Sequence, residues 1–378
     1  MDEFIQVLDK VIHQTGFLNL GWRQPIMWVI SLFFVYLGIW KKVEPLLLVP
    51  IGFAAFLVNM PAPGGGLMAP HHGIFWYFFE YGIRTEIIPS LIFFGLGAMT
   101  DFGPLIATPK TLLLGAAAQF GVYAAFFGAL FVGFDVQEAC SIGIIGGADG
   151  PTTIFTTVKL APHLLGATAL AAYSYMALVP IVQPPIMKLM TTKEERGRTM
   201  KQLRMVTKTE KVLFPIVVAF VVCLLVPPAA PLIGMLTLGN LFRECGVVAR
   251  LSEVAQNALM NIVTILLGIG VGSTMMGEKF LQTKVLGVYA IGLAAFAFST
   301  MGGLAFAKFM NLFLKDKINP YLGSAGVSAV PMAARVAHVE GNKANPKCYL
   351  LMHAMGPNVA GVIGTIVAAG FFIALAGS

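Results

Sequence analysis

Charge is scarce in this chain of 378 residues: Asp, Glu, Lys and Arg make up 11% of it, against 57% hydrophobic residues. The mean hydropathy is +0.81. Soluble domains carry about 25% charged residues, and a surface of this size could not face water with so few. The scarcity excludes a soluble globular protein and, despite a net charge of +7, argues against nucleic-acid binding. Metal-ligand spacing is lacking too. Cys140, Cys223, Cys245 and Cys348 are scattered in or beside apolar stretches and read as small hydrophobes. His71 and His72 lie in the polar loop GGGLMAPHHG without Glu or Cys at metal spacing. No GxSxG, HExxH or phosphate-loop pattern occurs, which argues against hydrolase and ATPase chemistry.

What the chain has instead is apolar runs, from about 25–40 to 349–376. At about 20 residues per span they furnish roughly ten transmembrane helices, so the expected fold is an all-α polytopic membrane protein surrounded by lipid. The first residues lack the basic start, apolar run and cleavage site of a signal peptide. Phe4, Ile5, Leu8, Val11 and Ile12 recur at helical spacing opposite Asp2, Glu3, Asp9 and Lys10, so 1–22 reads as an amphipathic helix lying on the membrane. The one long polar segment, 188–211, holds eight Lys/Arg against three Glu. The positive-inside rule makes it cytoplasmic; it reads as a topology determinant or as a dock for a soluble partner.

That loop separates a first membrane half, 23–187, from a second, 212–378. Gly143, Gly146 and Pro151 of GIIGGADGP recur 180 residues later as Gly323, Gly326 and Pro331 of GSAGVSAVP. The 41 glycines and 22 prolines are many for plain helices, although membrane helices tolerate more of both. Two repeats with Gly/Pro-interrupted helices are the pattern of a transporter, in which the interruptions meet near the midplane and form the ion site.

Asp149 is the sharpest candidate. It stands in the uncharged stretch CSIGIIGGADGPTTIFTTV, where an ionised carboxylate costs several kcal/mol unless paired or solvated. Either it binds a cation beside the carbonyls of a helix break, or it caps the half-helix that Pro151 begins. The second break supplies Asn319, Ser324, Ser328 and the carbonyls of a Gly-rich stretch, hard oxygen donors of the kind Na⁺ prefers; Asn319 before Pro320 is also a good helix cap. Arg335 either pairs with a carboxylate or anionic ligand or snorkels to the interface. Tyr175, 26 residues after Asp149, is a cation ligand, a proton relay or a buried phenol bonded to a carbonyl. Asn358 in HAMGPNVAGVIGT offers one more amide oxygen.

GGADGPT at 146–152, NPYLGSAGVSAVPMAARVAH at 319–338 and HAMGPNVAGVIGTIVAAG at 353–370 resemble the β subunit of the sodium-pumping, biotin-dependent decarboxylases, the oxaloacetate, methylmalonyl-CoA, glutaconyl-CoA and malonate enzymes. The resemblance covers essentially the whole chain. It implies a membrane subunit that decarboxylates carboxybiotin, carried on a separate biotin carrier protein, and couples the step to Na⁺ export in exchange for a proton. It implies a carboxyltransferase α subunit and a small membrane γ/δ subunit as further partners, a homo-oligomer within the complex being compatible with it, and a bacterial or archaeal cytoplasmic membrane as the site of action. The family's essential aspartate falls on Asp149, its tyrosine on Tyr175, and its asparagine, glycine, serine and arginine on Asn319, Gly323, Ser328 and Arg335. Asp149, Tyr175, Asn319 and Ser328 would then bind Na⁺ and release it when a proton enters, while Arg335 would hold the carboxylate of carboxybiotin. From the residues alone, two other readings stand: a Na⁺-coupled secondary transporter without decarboxylase chemistry, and a subunit that only anchors a soluble enzyme.

Overall fold

The computed structural model describes residues 15–377, and among them regular structure is helical, with no strand. Most of the amphipathic helix expected over 1–22 lies outside the described residues; within them Gly16–Asn19 forms one short turn. The exterior of the bundle is apolar. Phe127, Phe131, Leu224, Leu225, Leu286 and Phe313 are all exposed, a belt of large hydrophobic side chains that only lipid tails or another apolar surface would cover. Buried amides inside use backbone carbonyls: Gln119 donates to Gly361 O at 3.1 Å, Gln183 to Ser324 O at 3.0 Å and Asn240 to Thr100 O at 2.8 Å. With no water in the bilayer core, such bonds between helices are how polar groups are satisfied there.

Among the described residues, four helices are long and apolar enough to cross a membrane, or up to six if two bent pairs each count as one span. Shorter apolar helices, among them α1 (Arg23–Ile39) and α2 (Pro45–Val58), add to these. The sequence expectation of roughly ten came from the total apolar length at about 20 residues per span, with some runs too short to cross and others long enough to re-enter. The run at 139–158 is one that does not simply cross.

That run is a hairpin. Helix α3 (Val136–Ile145) opens with a capping box, Glu138 N–H donating to Asp135 Oδ1 at 2.7 Å and Asp135 N–H to Glu138 Oε2 at 3.1 Å. It stops at Gly146 and Gly147, and Ala148 adopts the left-handed region with φ +53°, which reverses the chain. Helix α4 (Gly150–Leu160) then starts with Pro151 in its first turn, where the missing N–H is no loss. The reversal brings His163, just past α4, to within 3.0 Å of Glu138 at the start of α3. Both ends of the hairpin therefore lie at one end of the bundle, with its Gly-Gly-Ala-Asp tip inside.

A second hairpin enters from the other end. Helix α5 (Leu165–Met190), bent by 60° near residue 177, leads from the base of the first hairpin to the basic loop. Helix α6 (Thr283–Phe313) begins beside that first base, where Lys284 reaches Glu138 at 3.4 Å. Its 31 residues carry the chain about 46 Å at 1.5 Å per residue. There Asn311 bonds Ile318 in both directions, and the chain turns inward through α7 (Tyr321–Ser324), a break at 325–331, and back out along α8 (Met332–Ala344). Lys188 at the end of α5 pairs with Glu340 of α8 at 3.1 Å. Helix α9 (Leu351–Ala376) closes the core.

Candidate functional site

The two tips touch: Ser328 N–H donates to Gly147 O at 3.0 Å. Helix α9 backs the contact with Asn358, Gly361 and Thr365, spaced to share one face. Asn358 Nδ2 donates to Val327 O at 2.7 Å and Ala325 O at 3.0 Å, satisfying the carbonyls that the broken helix leaves open. Thr365 bonds the Ser328 hydroxyl and Gln119 Oε1.

Asp149 stands at this junction, 5% exposed. As N-cap of α4 its Oδ1 accepts the Thr152 N–H at 3.0 Å, so one oxygen does cap the half-helix. The other, Oδ2, has no hydrogen-bond partner. Buried polar atoms are nearly always bonded, and a carboxylate oxygen left free is a position prepared for a cation, a proton or water. Asp149 lines a cavity of about 150 Å³ together with Gly150, Tyr173 and Ser328, walled by Leu47, Ile92 and Met260 among others. Asn358 Oδ1 and Thr152 Oγ1 are likewise buried and unpartnered. One carboxylate with neutral oxygens beside it suits a hard monovalent cation; among the described residues no three His, Cys, Asp or Glu side chains group as a metal site.

The other sequence candidates divide. Ser328 and Asn358 sit at the junction. Tyr175 is on α5 but turned elsewhere: its hydroxyl donates to Tyr289 O on α6, and its ring lies against Gly292. Asn319 is at the base of the second hairpin. Its Oδ1 caps Tyr321 N–H at 3.0 Å, and its Nδ2 donates to Arg196 O and Arg198 O, each at 2.9 Å, so it ties the basic loop to the bundle. Gly323 lets α7 meet α6: a Cβ there would come 2.0 Å from Gly303 O. Arg335 is exposed on α8, and among the described residues no ion pair or side-chain hydrogen bond engages it. Sequence reasoning passed over Gln119 and Thr365, although both are polar residues inside apolar runs, the same signal that picked out Asp149. It passed over Tyr173 as well.

The model of the family described as the Na⁺-transporting oxaloacetate decarboxylase beta subunit matches residues 23–376. The chain belongs to this family. It is 55% identical to the methylmalonyl-CoA decarboxylase subunit beta of Propionigenium modestum, over 99% of this chain and 100% of the relative. It is 56% identical to the glutaconyl-CoA decarboxylase subunit beta of Acidaminococcus fermentans, with 100% of each covered. The oxaloacetate decarboxylase beta chain of Klebsiella pneumoniae is 48% identical, over 98% of this chain and 99% of the relative. Family and apolar exterior together make this a membrane-bound decarboxylase beta subunit, a chain type that works with other subunits.

Proposed function

We propose that this chain is the subunit of a biotin-dependent decarboxylase that breaks the carboxyl–nitrogen bond of carboxybiotin and uses the released free energy to export Na⁺. The observation that carries the reading is Asp149: one oxygen spent on capping α4, the other buried without a partner, on a residue that lines a cavity where two opposed hairpin tips meet. An anchoring subunit has no use for such an atom. Decarboxylation leaves the bonding pair on the ureido nitrogen, which takes up a proton as CO₂ departs. A proton reaching Asp149 Oδ2 cancels the charge that holds Na⁺, so proton entry and Na⁺ release are one event. One net charge moved outward against 100 mV costs about 2.3 kcal/mol, a load that the reaction must cover for each Na⁺ not balanced by an entering proton.

Ser328 and Asn358 complete the Na⁺ site, while Arg335, exposed and unengaged, takes the carboxylate of carboxybiotin. Asn319 and Gly323 support the site from the hairpin base, and Tyr175 acts through α6. The basic loop 188–211 faces the cytoplasm of a bacterial or archaeal cell, where the carboxyltransferase and biotin carrier arrive, and a small γ/δ subunit shares the membrane. The halves 23–187 and 212–378 form an inverted repeat; hairpins entering from opposite ends support that division. Relatives 48% to 56% identical are named for three different acids, so the acid is chosen by a separate carboxyltransferase chain.

The test is Na⁺ transport in proteoliposomes holding the complete complex. Asp149→Asn is expected to abolish both ²²Na⁺ uptake and the Na⁺ dependence of decarboxylation. Uptake at wild-type rate would sink the reading; Na⁺-driven uptake of an organic acid without release of CO₂ would favour a plain secondary transporter.

A further inference from the structure

Tyr173 lies on the face of α5 that meets the hairpin tip. It is 2% exposed, yet its hydroxyl has no hydrogen-bond partner. It lines the cavity that holds Asp149 and Ser328. Its ring rests on Gly150: a Cβ there would come 2.2 Å from Tyr173 Cε1 and 2.4 Å from Cζ, so only glycine admits the phenol this close to the start of α4. The hydroxyl is within electrostatic reach of two carboxylates, Asp149 and Glu44. Glu44 stands in the turn between α1 and α2, half-buried, and among the described residues no ion pair engages it. Tyr175, two positions on, cannot share this face, because residues i and i+2 of a helix point apart.

We propose that Tyr173 is a ligand of the Asp149 site, its phenol oxygen turning toward the cation that Asp149 Oδ2 holds and its O–H serving the carboxylate when the cation leaves. Asp149 and Tyr173 line one cavity, and each carries a buried oxygen with no partner and no bond to the other, an arrangement that a third atom shared between them would complete. A phenol suits that place. It is uncharged at neutral pH, so Na⁺ and Asp149 still cancel, and its stiff side chain, turning about only two bonds, fixes the oxygen at little entropic cost. In the empty state the same group turns its proton to Asp149, a bond that phenylalanine cannot offer.

The proposal rests on the reading of the cavity as a Na⁺ site, and the experiment separates the two. In the intact decarboxylase complex, the Na⁺ concentration giving half-maximal decarboxylation is measured alongside thermal protection by NaCl against choline chloride. Tyr173→Phe is expected to raise half-saturation about tenfold, the loss of one neutral oxygen contact, with the maximum at saturating Na⁺ within about twofold of wild type. Gly150→Ala, which pushes the ring aside and keeps its hydroxyl, shifts half-saturation the same way and gives the reading if Tyr173→Phe fails to assemble. Tyr321→Phe removes a hydroxyl that is likewise buried and unpartnered but on a residue outside the lining of the cavity, and leaves half-saturation unchanged. A wild-type half-saturation in Tyr173→Phe, or a lost maximum with no shift, overturns the proposal. If Asp149→Asn also responds to Na⁺ as wild type does, the underlying site reading falls; if Asp149→Asn has lost the response, only the role of Tyr173 falls.

Discussion

Asp149 does two jobs with two oxygens, and substitutions can separate them. Asparagine caps a helix about as well as aspartate, whereas alanine loses the cap at a cost of about 0.5–2 kcal/mol. Asp149→Asn keeps the Thr152 N–H contact and removes a buried charge, so in Na⁺-free detergent it should melt at or above the wild-type temperature. Asp149→Ala should melt roughly a degree or two lower, while both lose the Na⁺ response. If the two variants melted together, the capping role of Oδ1 would be wrong. At this scale the sequence was readable where cost was decisive, since a carboxylate inside an apolar run needs a reason. It was mute on which tyrosine of AYSYM faces Asp149. That choice depends on the rotation of α5 about its axis, which is fixed by the bare backbone of Gly150 on another helix. Asn319 was readable as a cap, but its distance from Asp149 was not, because only the folded second hairpin places it at a base rather than a tip.

Elements in this protein are held by their ends. The strand of loop after Arg196 is strapped down through Asn319 and through Arg204, whose guanidinium takes Glu210 in a two-pronged pair at 2.7 and 3.2 Å and donates to Ile106 O at 3.1 Å. The Arg204 guanidinium, with Thr207 N–H and hydroxyl, holds the Glu210 carboxyl down at about 2, from an ordinary 4.5. A carboxyl lowered in the folded state contributes attachment that is fully present above its ordinary value and is lost as pH falls through the lowered one. Cleavage of the loop between residues 197 and 207 by added protease should therefore be flat from pH 8 to about 5 and rise only below about 4, whereas Glu210→Gln should be cut faster already at pH 7. A rise centred near pH 6 would assign the strap to some other group. The Gly/Pro breaks were visible in the sequence because few other residues end a buried helix so abruptly. That α3 and α4 turn back was not visible: an apolar run has the same composition whether it crosses or returns, and the contact that decides it, Glu138 with His163, joins residues 25 apart.

The described residues are organised by two helices, α5 and α6, that each run from the base of one hairpin to the base of the other, so the two bases lie at opposite ends of the bundle. The 180-residue repeat foreshadowed two equivalent breaks but carried no sign of their direction, because direction follows from how many times the chain crosses between them. Single reporter cysteines settle the direction. Met205, 94% exposed in the basic loop, and Val136, 46% exposed at the first base, replace well because neither is packed. The native thiols interfere little: Cys140 and Cys348 are buried, and Cys223 and Cys245, partly covered, can be changed to serine. With a membrane-impermeant maleimide, Met205→Cys should label in inverted vesicles and not in intact cells, and Val136→Cys the reverse. Labelling of both from one face would place the two hairpins on the same side, and the opposed tips that bring Gly147 to Ser328 could then not belong to a membrane-inserted state of this chain.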